Sequence, residues 1–267
     1  MRRTSIIAVI TVAASLSGSL SVSAQIPLGT AQAFSVLGGS TVTNTGPTVV
    51  TGSLGVSPGS SVTGFPPGIV VGGTIHAADA VAAQAQSDVT TAYNTAAGLP
   101  CGTDLTAQDL GGMTLTPGVY CFSTSAGLTG TLTLDMQGDP NAQFVFQIGS
   151  TLTTASASSV VTINNGGANC PANLFWQVGS SATLGSGSSF AGNILALTSI
   201  TLTTAASTNG RLLARNGAVT LDSNTITLCA AAGGPGGNGI PALGFAGLTL
   251  LALLLGGTAL FVMNRTS

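Results

Sequence analysis

The sequence predicts a mainly β protein, a parallel β-solenoid with one long helix packed alongside and a small capping subdomain. Three observations predict it. Late in the chain, Ala182-Thr183-Leu184, Ile200-Thr201-Leu202 and Val219-Thr220-Leu221 recur at spacings of 18 and 19, and Gly192-Asn193-Ile194 returns after 18 as Gly210-Arg211-Leu212. Within each unit polar and apolar residues alternate, as in Thr131-Leu132-Thr133-Leu134, broken by Gly, Asn and Ser, and period two means strands. A unit of about 18 residues with two or three short strands is one coil of a solenoid whose rungs stack at roughly 4.8 Å, with Leu, Ile and Val inward. Earlier turns echo it: Gln147-Ile148-Gly149-Ser150 returns as Gln177-Val178-Gly179-Ser180, and Thr-Leu-Thr-Thr-Ala begins at both Thr151 and Thr201.

The third observation is the segment that breaks this pattern. Between His76 and Ala97 there is no Gly or Pro, and Val81, Ala85, Val89, Ala92, Tyr93 and Ala96 fall at helical spacing before Gly98 and Pro100 stop the run. A helix over 76–97 would be roughly 33 Å long, the height of about seven rungs, and its many alanines let it lie close against a flat β face. The stretch 99–118 has Gly, Pro and Asp at turn spacings; it is expected to cap an open solenoid end.

Both termini read as processing or membrane signals. Met1-Arg2-Arg3, an apolar run from Ile6 to Leu16 and the small residues Val22-Ser23-Ala24 read as a signal peptide over 1–24, with a mature start near Gln25. Residues 233–240 are a Gly-rich linker, and 241–263 are 23 residues without a charge, able to span a bilayer. Arg265 follows at once, which places 264–267 on the cytoplasmic side and the domain at 25–232 outside. Cys101, Cys121, Cys170 and Cys229 all lie in that exported part, where disulfides persist. Of the three possible pairings, Cys101 with Cys121 is favoured because it closes a short loop, which leaves Cys170 with Cys229.

Composition narrows the function. Seven Asp, five Arg and one His, with no Lys or Glu, rule out a basic nucleic-acid surface and leave little for acid–base catalysis. No metal-ligand spacing occurs, so neither an enzyme nor a cofactor is expected. His76 has no neighbouring motif and reads as a helix-start or buried hydrogen-bonded residue. Asp135 and Asp139 belong to polar turns, Trp176 to the core, and Arg211 and Arg215 either snorkel or pair with Asp222.

Several runs then carry a specific resemblance. Ser40-Thr41-Val42-Thr43-Asn44-Thr45-Gly46-Pro47-Thr48, Thr51-Gly52-Ser53-Leu54-Gly55-Val56-Ser57-Pro58-Gly59 and Gly64-Phe65-Pro66-Pro67-Gly68 resemble the opening of the secreted microbial ice-binding protein family. Gly72-Gly73-Thr74-Ile75-His76-Ala77, Leu115-Thr116-Pro117-Gly118-Val119-Tyr120, Phe175-Trp176-Gln177-Val178-Gly179-Ser180 and Leu213-Ala214-Arg215-Asn216-Gly217-Ala218-Val219-Thr220-Leu221 follow in the family's order. The resemblance implies a right-handed, discontinuous solenoid of triangular section, with the N-terminal coil placed between later ones, and it implies binding to ice. Ile240-Pro241-Ala242-Leu243 is similar to C-terminal sorting signals of the IPTL and PEP types, which implies a membrane transpeptidase as a further partner.

Given that implication, physics selects the residues. A flat parallel face carries a grid about 4.8 Å by about 6.6 Å, and Thr suits it because its methyl excludes disordered water, its hydroxyl anchors ordered water, and its χ1 is stiff. The aligned units give Ser181, Thr183, Ser199, Thr201, Thr203 and Thr220 as the expected ice-binding face. Ser186, Ser189, Thr204 and Ser207 form a second candidate face. Outside the expected helix, the family's Thr-(Ala/Gly)-x-(Thr/Asn) surface motif is matched only by Thr45-Gly46-Pro47-Thr48, which argues against strong activity. The expected role is a surface-held or released ice-binding protein that limits ice growth or recrystallisation or attaches a cell to ice. The alternative keeps the fold as a surface adhesion protein with another partner.

Overall fold

The computed structural model describes residues 25–166, 170 and 172–228. The expected leader, linker, terminal span and Cys229 lie outside the described residues. Among those described, no helix is long and apolar enough to cross a membrane.

Every strand pairing is parallel, and the pairings build three faces around one apolar interior. The first face stacks Thr103–Asp104, Gly118–Phe122, Phe144–Ile148, Leu174–Val178, Ser189–Ala196, Ser207–Ala214, Phe34–Gly38, Ser53–Val56 and Ile75–Ala77. The second stacks Ala126–Leu128, Leu152–Thr154, Ala182–Leu184, Ile200–Leu202, Val219–Asp222, Thr41–Thr45 and Ser61–Thr63. The third begins with Thr114–Leu115, Thr131–Asp135 and Ser159–Ile163. It continues through the leading ends of Ser189–Ala196 and Ser207–Ala214 and finishes on Thr225–Thr227, Val49–Thr51 and Ile69–Val71. Stacking order is therefore not chain order. The last coil docks on the first: Leu212 and Leu213 pair with Val36 and Leu37, Val219 with Val42, and Thr225 with Val49.

In-register pairing turns sequence repeats into columns. Tyr120, Phe146 and Trp176 stack at ring separations of 5.4 and 4.0 Å, and Ile194, Leu212, Val36 and Leu54 continue the same inner column. The Trp176 indole N–H donates to the Ala191 carbonyl at 3.0 Å, so the buried ring leaves no donor unpaired.

The second core lies under the helix Ala80–Ala97, where Ala82, Ala85, Val89, Ala92, Tyr93 and Ala96 pack on Phe34, Leu37, Val145, Phe175, Leu195 and Leu213. The helix starts four residues later than the spacing predicts. His76 belongs to the strand Ile75–Ala77, the chain turns at Ala78 with φ 53°, and Asp79 caps the helix by accepting from the Ala82 N–H at 2.8 Å. His76 Nδ1 lies 2.7 Å from the same Asp79 carboxylate, so the histidine holds the cap. Val81 is exposed and Ala82 takes its place on the buried face, while Ala85, Val89, Ala92, Tyr93 and Ala96 are buried as the spacing predicts. The 18-residue helix is about 27 Å long. It runs over seven strands, from Phe144–Ile148 to Ile75–Ala77, which at six spacings of about 4.8 Å is about 29 Å. It thus carries the chain back from one solenoid end to the other.

At its end, the Gln147 side-chain amide donates to the carbonyls of Ala96 and Leu99, both at 2.8 Å, and a Cys101–Cys121 disulfide fastens the exit to Gly118–Phe122. The 99–118 stretch closes the interior as a shortened terminal rung. Thr103–Asp104 and Thr114–Leu115 each pair with the next coil, Asp109 bridges Gly127, and Leu105 and Leu110 fill the floor. Cys170 is also in a disulfide.

The expected pairing of Arg211 or Arg215 with Asp222 does not occur. Arg211 is buried, donates to the Asn193 side-chain oxygen at 2.9 Å and to the Gln32 carbonyl at 2.9 and 3.2 Å, and burial lowers its pKa to about 10. Its length reaches from the last coil to the N-terminal 3-10 turn Gly29–Ala33 and pins that turn to the joint between last and first coils. The Arg215 guanidinium lies over the Tyr93 ring at 4.6 Å. Asp222 instead accepts from the Thr204 hydroxyl at 2.5 Å.

Two outcomes follow for stability. Asp79 is held below 3.8 chiefly by the Ala82 N–H, and Asp88 chiefly by the Thr30 hydroxyl. Because folding lowers these pKa values, their contribution is complete above 3.8 and disappears as pH falls through the lower folded values. The thermal midpoint therefore drops below about pH 4, and Asp88→Asn lowers the midpoint at pH 7 while flattening that acid decline. At the corner between the second and third faces, Gly187 and Ala205 occupy the same left-handed position on successive rungs, with φ 67° and 60°. Ala205→Gly relieves the Cβ clash and is expected to raise stability by about 0.5–1 kcal/mol, read as a shifted denaturant midpoint at constant slope.

Candidate functional site

The first face is covered by the helix, which leaves two faces open to water. On the second, the register places Thr153 beside Thr183, Thr183 beside Thr201, Thr201 beside Thr220, Thr220 beside Thr43 and Thr43 beside Thr63. Six threonines on six consecutive rungs form one outward row about 24 Å long, while Leu152, Ala182, Ile200, Val219 and Val42 beside them are buried. Thr43 and Thr220 approach hydroxyl to hydroxyl at 3.4 Å. Among the described residues, Thr63, Thr153, Thr183 and Thr201 have no protein partner for their hydroxyls, which are left to water.

Two residues earlier in each strand runs a parallel row: Ser125, Thr151, Ser181, Ser199, Ala218, Thr41 and Ser61. It is partly committed to the fold. Ser181 Oγ accepts from the Ser199 N–H at 3.3 Å, Ser199 Oγ accepts from the Ala218 N–H at 3.2 Å, and the Ser125 and Thr151 hydroxyls bond each other at 2.8 Å. Neither row holds a charged side chain. A β-branched residue on a paired strand has a restricted χ1, so the Thr row is a fixed array of methyls and hydroxyls.

The structure brings Ser181, Thr183, Ser199, Thr201 and Thr220 onto this one face and separates the remaining candidates from it. Thr203 lies at its edge, where its hydroxyl donates to the Leu184 carbonyl at 2.8 Å and accepts from Ser186 at 3.1 Å. Ser186 and Thr204 occupy corner turns, whereas Ser189 and Ser207 pair in register on the third face, so these four do not share a face. Thr45-Gly46-Pro47-Thr48 is a corner as well. Thr48 is fully buried and its hydroxyl accepts from the Asn224 N–H at 3.0 Å, so the motif serves the turn here.

The third face carries its own hydroxyl row, Thr131, Ser159, Ser189, Ser207 and Thr225, but it is less regular. Serine replaces β-branched threonine at three of these positions, the row ends on Val49 and Ile69, and Val161, Ile163 and Val71 stand exposed beside it. Two of its strands also bend into the first face at Gly192 and Gly210, where φ is 104° and 152°.

Thr43, Thr63 and Thr153 belong to the row but are not among the residues that the late repeat selects. A Ser/Thr–apolar–Thr triplet finds them, since it occurs at Thr41-Val42-Thr43, Ser61-Val62-Thr63, Thr151-Leu152-Thr153, Ser181-Ala182-Thr183 and Ser199-Ile200-Thr201. No group of three or more His, Cys, Asp or Glu able to hold a metal ion occurs among the described residues.

Known proteins share this architecture. The ice-binding protein of Nostoc sp. (strain HG1) is 63% identical over 201 residues, which are 75% of this chain and 73% of that protein. The crystal structure of an ice binding protein from an Antarctic biological consortium superposes with a TM-score of 0.72 at 45% identity, covering 84% of this chain and 96% of that one. That of an ice-binding protein from the Antarctic ascomycete Antarctomyces psychrotrophicus gives 0.73 at 42% identity, covering 77% and 99%. Residues 36–227 match the Ice-binding-like family over all three faces, and the chain belongs to that family.

Proposed function

We propose that the protein adsorbs to ice through its second face, with the row Thr153, Thr183, Thr201, Thr220, Thr43 and Thr63 at its centre. The observation that carries this reading is the six-rung register of that row. Each methyl keeps disordered water off the surface, and each free hydroxyl holds one water at a position fixed by the strand. Repeated at the rung spacing, these waters form an ordered layer that can merge with a crystal, and the adsorbed protein then blocks growth at the sites it covers. A charged side chain would orient water around itself and break the layer; both rows lack one. The large aromatics Tyr120, Phe146 and Trp176 are inside, which leaves the second face without the aromatic groove expected of a glycan or peptide adhesin.

The disulfides fit an oxidising compartment, in keeping with the leader at 1–24 and the exported domain the sequence implies. On this reading the 241–263 span, or the sorting signal ahead of it, keeps part of the population at the cell surface, where the same face would hold the cell to ice.

The test is ice shaping and recrystallisation inhibition by the purified protein beside Thr201→Tyr and Thr183→Tyr. A bulky ring in the row lifts the face off the crystal, so each variant should need at least about tenfold more protein for the same inhibition, with unchanged circular dichroism. Ser189→Tyr, on the third face, should act like the parent. An inactive parent removes the ice-binding reading, and full activity in both row variants moves the site to another face.

A further inference from the structure

We propose that Ala218 is the position that limits how strongly the second face holds ice, an inference that rests on the ice-binding reading above. The two rows abreast make a grid of seven rungs, from Ser125 and Gly127 at one end to Ser61 and Thr63 at the other. Twelve of the fourteen positions bear a hydroxyl; the exceptions are Gly127 and Ala218. Gly127 lies on the terminal rung, next to the Asp109 carboxylate. Ala218 lies inside the grid, between Ser199 and Thr41 and two residues before Thr220 in the same strand.

The gap weakens the array where it should be strongest. Water is most completely excluded near the middle of a contact, and there an unanchored position costs most. Ala218 offers a methyl but neither donor nor acceptor, so a water above it is held only by its neighbours. One of those neighbours is already partly occupied, since Ser199 Oγ accepts the Ala218 N–H. The position itself has room. Ala218 is half-buried, and threonine stands at the equivalent place on the next rung at Thr41 and at Thr151 further along the row. A threonine hydroxyl in place of the Ala218 methyl would complete the row from Ser125 to Ser61 without disturbing the Ser199 bond, which uses only the backbone N–H at this position.

The experiment compares the parent protein with Ala218→Thr, Ala218→Ser and Ala218→Val in thermal hysteresis and in the concentration that stops ice recrystallisation. Val has the shape of Thr without the hydroxyl. Ala218→Thr should inhibit recrystallisation at a concentration about two- to tenfold lower, the factor of one added net hydrogen bond, with Ala218→Ser moving the same way and Ala218→Val unchanged. Unaltered or weaker inhibition by both hydroxyl variants with parental circular dichroism overturns the proposal, and so does an equal gain in Ala218→Val. Parental activity in both Thr201→Tyr and Thr183→Tyr would instead remove the face assignment beneath it, a failure distinguishable from the first because it needs no variant of Ala218.

Discussion

The parallel in-register ladder is the constraint on which everything else rests. Because each coil hydrogen-bonds to the next with like residues opposite one another, any side chain repeated at the coil period becomes a column about 4.8 Å apart. Inward, the columns are Tyr120, Phe146 and Trp176, then Ile194, Leu212, Val36 and Leu54. Outward, the same ladder makes the Thr row. Core packing and surface order are thus one geometric fact seen from two sides, and a one-residue slip would turn the threonines inward and the leucines to water.

A stack assembled out of chain order needs a joint and a return path. The joint is the docking of the last coil on the first, and it lies within the proposed site, since Thr220 and Thr43 face each other across it. Its rigidity matters more than its energy, because a hinge there would split the six-rung array. Arg211 and Asp88 bind the N-terminal turn against it, through Gln32 and Thr30 respectively. The return path is the helix, held at its start by Asp79 and His76 and at its end by Gln147 and the Cys101–Cys121 disulfide. By covering the first face it also removes one surface from competition for ligand.

The repeat among residues 182–221 is legible because those coils are consecutive in the chain, and their apolar residues fall where the interior is. Thr43 and Thr63 fall outside that repeat: the Ser/Thr–apolar–Thr triplet marks them, but their rungs meet the late coils only through the docking of chain ends, so no local spacing tells which rung they join. Thr203 and Thr204 illustrate the opposite error. In sequence they extend Thr201, yet the chain reaches the corner at Leu202, and beyond it a hydroxyl is worth more to the turn than to water. The helix is visible from its lack of Gly and Pro, but spacing alone places its first turn too early. His76 reads as a helix start, yet it lies in the strand before the turn, and Asp79 caps the helix.

The charge poverty of the chain also follows from this division of labour. Asp104, Asp109, Asp135 and Asp139 each accept from the backbone N–H two residues on, in turns that close a coil or loop, and Asp79 accepts from the N–H three residues on to cap a helix start. Asp88 ties the helix to the N-terminal turn, and Asp222 sits at the corner with Thr204. A short carboxylate can reach back to its own turn, whereas the longer Glu side chain cannot do so with the same geometry. The absence of Glu and the presence of seven Asp therefore describe a protein in which all the carboxylates but Asp88 work at corners and caps. The flat surface between corners is left to groups that hold water without reorienting it, and the property that makes the sequence poor in catalytic material is the one that an ordered water layer requires.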